Sequence, residues 1–326
     1  MRTTLTTMFG PGASRAFSLV EMMVVLLILA VVMAIVVPAL SAARNTARKA
    51  ATNALMSGLG NAASQFQMDE RRLPGYFTQR DMGATENGLN GFTAMNNIIA
   101  DLSGGVIEAD NGNTTTIEVG PLAAPASQIY IDTTLIGSSR QIKGVTNKAY
   151  FQPDPKFFGI TTGKAGLGEN PMLPDLFDSW GTPIMAWQQD EVPSTSAEFA
   201  RLDSTQAAKF YWVQNAAFLS STGLGKFTVN QNTESWLGGM AANRAASLEG
   251  VLGTPAFADP AFAVPNQKAA AARAPIVFQS AGYNSTYCGK SERGGKVAAS
   301  TSNTIRYTSP TDAMDAFDDI MAKVSN

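Results

Sequence analysis

The chain has 326 residues, more than one minimal domain needs and fewer than three. A net charge of −2 with 15% charged residues gives no basic footprint for nucleic acid, while 45% apolar residues supply a core of ordinary size. Histidine is absent, which removes the commonest general base and metal ligand, and the single cysteine, Cys288, excludes an intrachain disulfide or a cysteine-based zinc site. An unpaired thiol in such a chain reads as a small buried hydrophobe.

The first element is RAFSLVEMMVVLLILAVVMAIVVPAL, residues 15–40. From Phe17 to Leu40 it is apolar apart from Ser18 and Glu21. As a helix this stretch reaches roughly 36 Å, enough for a hydrocarbon core of about 30 Å. ALSAA at 39–43 has the small residues of a signal-peptidase site, so a secretory signal and a plain anchor are both open on composition. Glu21 argues against both, because an ionisable group inside a span is costly and takes a partner. A cut before Phe17 would create an α-amino group with a pKa of about 7.7–8.0. Within one helix that amine meets Glu21 awkwardly; between two parallel, staggered helices the pair forms well. Each buried charge then specifies the other, and the carboxylate registers assembly.

These residues resemble the N-terminus of type IV pilins and type II secretion pseudopilins: a short basic leader, a small residue, then Phe-Thr-Leu-Ile-Glu and an apolar run. Ala16, Phe17, Ser18, Leu19, Val20 and Glu21 carry the match, with Ala16 where the family usually has glycine. The resemblance implies that a prepilin peptidase cuts between Ala16 and Phe17 and methylates the new amine. Removal of residues 1–16 takes Arg2 and Arg15 and leaves a net charge of −4. The family also places a proline at the position of Pro38, where the missing N–H kinks or loosens a helix. On sequence alone Pro38 equally reads as the boundary of the span.

The stem continues past Pro38. Leu55, Leu59, Ala62, Ala63 and Phe66 recur at helical spacing, with Arg44, Arg48, Asn53, Ser57 and Asn61 on other faces. This predicts a rod to about Met68, roughly 75–80 Å from Phe17, stopped by RRLPGY at 71–76. Arg44, Arg48 and Lys49 read as a solvated face or as contacts to acids on neighbouring subunits. The basic residues flanking the span do not decide orientation; the resemblance places the leader in the cytoplasm.

In the head, FTAMNNIIADL (92–102) predicts a helix, and TTIEVG (115–120) and SQIYIDTT (127–134) predict strands. KAGLGENPMLPD (164–175) reads as loop. LFDSWGTPIMAW (176–187) then resembles the Asp-x-Trp-Gly-x-Pro signature of the major pseudopilin, in Asp178, Trp180, Gly181 and Pro183. Physically it is a turn: Gly181 can take positive φ, Pro183 fixes φ and Trp180 pins the turn to the core. A strand is expected to follow over 184–187. QAAKFYWVQNAAFLSS (206–221) and SWLGGMAANRAASLEGVL (235–252) read as helical, and PIVFQSAGYNSTYCGK (275–290) as a strand ending in a glycine turn. Regions 84–150 and 190–273 are taken as insertions into the family fold.

The late acids Asp315, Asp318 and Asp319 resemble, in position, the calcium loop of the major pseudopilin. Met314, Phe317, Ile320 and Met321 recur at helical spacing, so the same acids also read as the wet face of a short helix. The expected organisation is α+β: a leader at 1–16, a transmembrane or filament-core helix at 17–40, an amphipathic stem at 41–70 and a head at 71–326. The long helix packs on a small antiparallel sheet with helical and loop insertions.

The function this organisation implies is a structural, non-enzymatic subunit of a type II secretion pseudopilus. Its partners are the membrane, a prepilin peptidase, other pilin or pseudopilin subunits, and an inner-membrane assembly platform with its ATPase; no nucleic acid is expected. The protein would be held in a bacterial inner membrane by one pass, with its head outside the cytoplasm, and then enter a filament. Calcium is the one cofactor weighed. The alternatives are a type IV pilin for adhesion, motility or DNA uptake, and a membrane-anchored binding protein that never polymerises. A secreted enzyme is disfavoured, because without histidine most serine and cysteine triads fail and no acid pair stands out for glycoside chemistry.

Overall fold

The structure, a computed structural model, describes residues 18–123, 128–138, 140–142, 145–160, 173–191, 198–220, 235–238, 241–255, 269–293, 304–305 and 312–324. The chain is α+β and divides into two compact units between Ala47 and Arg48.

Helix α1, Leu19–Glu70, carries both predicted segments of the N-terminal rod and runs through Pro38 without ending. Pro38 has no N–H to offer the carbonyl of Ala34. In its first part α1 is apolar on every side, with Leu19, Leu26, Leu27, Met33 and Ile35 all more than 60% exposed. A helix greasy all round belongs in a membrane or in a core supplied by other chains. Farther along, Thr52, Met56, Leu59, Ala63 and Phe66 are buried at alternating steps of four and three. Arg71 ends the helix in the left-handed region, with φ 54°. Arg72 then grips Asp101 through both carboxylate oxygens, at 2.5 and 3.0 Å, and the Gly75 amide donates to the same side chain at 2.9 Å.

Asp101 belongs to α2, Ala94–Ser103, whose N-cap Thr93 and Asn96 form a reciprocal capping box. Next come strands β1, Val106–Ile107, β2, Thr116–Val119, and β3, Ile129–Asp132, with β3 central and both pairings antiparallel. Strand β4, Met185–Gln188, follows the Trp180 turn. Strands β5, Glu198–Arg201, and β6, Ala208–Tyr211, pair in parallel. The segment Trp212–Asn215 is a 3-10 turn leading into α3, Ala216–Ser220, and α4 spans Ala241–Leu252. Strands β7, Ile276–Ser280, and β8, Ile320–Val324, complete a three-stranded antiparallel sheet in the order β8-β7-β4.

That sheet separates two cores. Ala186, Ile276, Phe278, Ile320 and Val324 face the α1 stripe and α2. Met185, Trp187 and Val277 face a second cluster with Phe210, Trp212, Phe218, Leu248 and Leu252. Alternate side chains on opposite faces explain why PIVF reads as an unbroken apolar run: both faces are covered. The open edge of β4 is met by side chains. Asn215 Nδ2 donates to the Ala186 carbonyl at 2.7 Å, and Gln214 takes the Gln188 amide and carbonyl at 3.5 and 3.4 Å.

Three helical expectations are corrected. Within 206–221, the described residues 206–220 hold a strand, a 3-10 turn and a short helix. Ala208 and Phe210 are buried around a half-buried Lys209, a period of two, and the Tyr211 hydroxyl accepts from the Ala208 amide at 3.1 Å. Among the described residues of 235–252, α4 is the helical part, and Ser235 instead bridges to Gly289. Residues 312–323 form a 3-10 turn at Ala313–Ala316 and then β8, because five residues of pairing with β7 outweigh a local helical spacing. The loop expected at 164–175 lies largely outside the described residues.

Candidate functional site

Ala16 and Phe17 lie outside the described residues. Ser18, the next residue, caps α1. The Ser18 amide donates to Glu21 Oε2 at 2.8 Å, and the Glu21 amide donates to Ser18 Oγ at 3.2 Å. This reciprocal pair is a capping box, three residues apart, and it satisfies two amides that a helix start leaves orphaned. Glu21 is the acid of the first turn, where the helix dipole favours a negative charge. Its Oε1 has no hydrogen-bond partner among the described residues. Past it, among the described residues, α1 is the helix long and apolar enough to cross a membrane, and none of its most apolar window is buried within the chain.

Asp178, Trp180, Gly181 and Pro183 come together in one tight turn. The Gly181 amide donates to the Asp178 carbonyl at 3.1 Å and the Asp178 amide to the Thr182 carbonyl at 2.8 Å. Gly181 holds φ 85°. Asp178 Oδ1 accepts from the amides of Trp180 and Thr182, each at 2.9 Å, while Oδ2 accepts the Ser280 hydroxyl at 2.7 Å. The Ser179 amide donates to Thr52 Oγ1 of α1 at 3.1 Å, and Trp180 packs beside the α1 core. The Tyr287 hydroxyl donates to the Pro183 carbonyl. Burial pushes the Asp178 carboxyl up from its ordinary value, against these hydrogen bonds, which favour the charged form. The turn thus ties α1, β7 and the loop after β7 into one knot.

A third constellation lies where that loop meets the start of β8. One carboxylate oxygen each from Glu292, Asp318 and Asp319 lies within 4.8 Å of the others. Asp315 is exposed on the preceding 3-10 turn and is not among them. Asp319 Oδ1 accepts from the Cys288 amide at 2.9 Å and Oδ2 from Gln279 Nε2 at 2.7 Å. Glu292 accepts from Asn284 Nδ2 and, at 2.8 Å, from the Asp318 amide. Burial, then the neighbouring Asp318 charge, pushes Asp319 up to about 7; burial with the same neighbour pushes Glu292 up to about 8. Three hard oxygen donors fit calcium or magnesium by type. Cys288 is buried beside this group in the left-handed region, φ 46°, and burial holds its thiol well above the usual range. It is therefore a poor nucleophile.

Sequence reasoning selected Asp318 and Asp319 but missed Glu292, which stands far upstream and reaches the pair only through the β7–β8 pairing. It likewise missed Ser18 as the partner of Glu21, although S-x-x-E before an apolar run is a readable cap signal.

The comparisons with known proteins bear on the first of these sites. The prokaryotic N-terminal methylation motif matches residues 12–37, so the segment holding Ala16, Phe17, Glu21 and the apolar run is of the prepilin type. Neither curated proteins nor solved structures returned a match to the chain.

Proposed function

We propose that this chain is a prepilin-like structural subunit, cut between Ala16 and Phe17 and methylated on the new amine. It is anchored in the inner membrane by α1 and then assembled into a filament. The observation that carries the reading is the methylation motif over residues 12–37, joined to a helix whose apolar surface is exposed on every side after Glu21. In the filament that surface is covered by the same segment of other copies. Glu21 pairs with a neighbouring Phe17 amine, each relieving the other of an uncompensated charge. The unbonded carbonyl opposite Pro38 softens the packed helices there.

Within this class we favour a type II secretion pseudopilin of the major type, on the strength of the Asp178–Pro183 turn. Glu292, Asp318 and Asp319 are the residues that would hold calcium, which would supply charge neutralisation and fasten the last loop to β8. The role is structural rather than enzymatic. The partners are the prepilin peptidase, further pilin-like subunits and an ATP-driven assembly platform. A type IV pilin for adhesion, motility or DNA uptake shares the motif. Deletion in the host separates the two: loss of exoprotein secretion with surface motility intact favours the pseudopilus, and the reverse favours the pilus.

The class itself is tested by N-terminal sequencing and intact mass of the mature protein. An N-methyl-Phe17 terminus is expected; a leader left uncut, or a start near Ala42, overturns the reading.

A further inference from the structure

Three Asn-Gly pairs occur in the sequence: Asn87-Gly88, Asn90-Gly91 and Asn111-Gly112. In such a pair the glycine amide nitrogen can attack the side-chain carbonyl carbon of the asparagine, because no Cβ stands in the way and the backbone can turn to bring the two together. The fold treats the three pairs differently. We propose that Asn111 is a self-modification site, converted to aspartate and isoaspartate by attack of the Gly112 amide, with Asp110 as the general base.

The first two pairs are locked. Asn87 is buried; its Nδ2 donates to the Met82 and Phe92 carbonyls at 2.8 and 2.9 Å, and its Oδ1 accepts from the Phe92 amide at 3.1 Å. Asn90 Nδ2 donates to the carbonyls of Gly120 and Pro121 at 3.3 and 3.1 Å. The Gly88 and Gly91 amides donate to the carbonyls of Thr85 and Asn87, at 3.1 and 2.9 Å, and a peptide carbonyl is far too weak a base to take the proton away.

Asn111 lies in the loop between β1 and β2, where residues 108–114 are all exposed. The Gly112 amide donates to Asp110 Oδ1 at 2.9 Å, so the attacking nitrogen is bonded to a carboxylate that can accept its proton. Asn111 Oδ1 accepts from the Asn113 amide at 3.0 Å and from the Thr116 hydroxyl. These donors polarise the carbonyl and meet the negative charge that the attack places on its oxygen. The leaving nitrogen, Nδ2, is held by one long contact, 3.4 Å to Asp132 Oδ2. Gly112 holds φ 72°, and a Cβ there would meet nothing within 4 Å, so the turn has room to close.

Gly112 N bonds to Asn111 Cγ while its proton passes to Asp110. The Cγ–Nδ2 bond then breaks, and the nitrogen leaves as ammonia with that proton. Water opens the cyclic imide at either carbonyl, giving aspartate or isoaspartate, and nothing is oxidised or reduced. The product adds a carboxylate beside Asp110 and removes the donor to Asp132. No partner takes part, so the conversion is independent of assembly.

The full chain, purified in detergent, is held at neutral pH and sampled over time. One tryptic peptide, residues 81–140, carries all three pairs, so fragmentation assigns the mass gain of amide-to-acid exchange to a position. Isoaspartate-specific carboxyl methylation identifies the isomer. Asn111 is expected to convert at least about tenfold faster than Asn87 or Asn90, which react only on local opening. Asp110→Ala is expected to slow the conversion about tenfold, a modest factor because a carboxylate is a weak base. Thr116→Val is expected to slow it by a smaller factor. In the chain unfolded in urea the three rates are expected to converge. No conversion at Asn111, or conversion no faster than at the other two, overturns the proposal. So does an Asp110→Ala rate equal to or above that of wild type, because Asp110 would then only restrain the loop. A preference for Asn111 that persists undiminished in urea also overturns it, because local sequence rather than the fold would then set the rate.

Discussion

Asp178 offers the sharpest test of how the head is held together. Replacing it with alanine strands three donors: the Thr182 amide and the Ser280 hydroxyl, both buried, and the partly buried Trp180 amide. A buried donor left unmade costs about 1–3 kcal/mol, so two full losses and one discounted loss amount to about 3–5 kcal/mol. Part of this is returned, because burial already disfavours the carboxylate. The expected net loss is about 2–4 kcal/mol. Asp178→Asn behaves differently. Its Oδ1 still accepts both amides, and the Ser280 oxygen, which already accepts from Gly282 at 3.2 Å, has a second lone pair for the new Nδ2. A change within about 1 kcal/mol is expected. The pH dependence gives a second readout. The folded-state value of Asp178 is raised, so its contribution is fully present below the unfolded carboxylate range and is lost as pH rises through the folded value; Asn removes that slope. Urea unfolding of the full chain in detergent, followed by tryptophan fluorescence at several pH values, measures both. An alanine variant within about 0.5 kcal/mol of wild type would refute the reasoning, as would an asparagine variant as weak as alanine.

Leu59→Ala, at a fully buried position of α1, is expected to cost about 2–5 kcal/mol in the same assay. Gly282→Ala meets two obstacles, φ 68° and a new Cβ only 2.5 Å from the Asp318 carbonyl oxygen, and should lose at least about 1–3 kcal/mol. Asp319 and Glu292 are raised from 3.8 and 4.5 to about 7 and about 8, so their protonated forms stabilise the fold at low pH. Thermal scans should show stability falling as pH climbs from the ordinary carboxylate range through those values. Calcium, if those acids hold it, takes over from the protons: melting temperature should rise with added calcium at pH 8 and hardly at pH 5, and Glu292→Gln should remove most of that rise.

Much of this architecture was legible from residue spacing. The apolar run, its lone acid, the stem stripe ending near Met68 and the strands around Ile117, Tyr130, Trp187 and Phe278 follow from helical or twofold periodicity, which is local. What was missed is non-local. Residues 208–211 became a strand because a parallel neighbour at 198–201 accepts them, and 320–324 because β7 does. Aromatic and alanine-rich segments such as AKFYWVQNAAF fit either period, so tertiary partners decide. The same holds for the sites: Ser18 with Glu21 and Asp178 with its turn are encoded within a few residues, whereas Glu292 joins Asp318 and Asp319 only through the fold.

The amide side chains of Gln214 and Asn215, which occupy the hydrogen-bonding positions along β4, have a consequence for crowding. Wherever copies of one domain crowd together, a bare strand ladder recruits the next molecule indiscriminately. With three of its groups taken by side chains of the same chain, that rim has less to offer a strand from a neighbouring molecule.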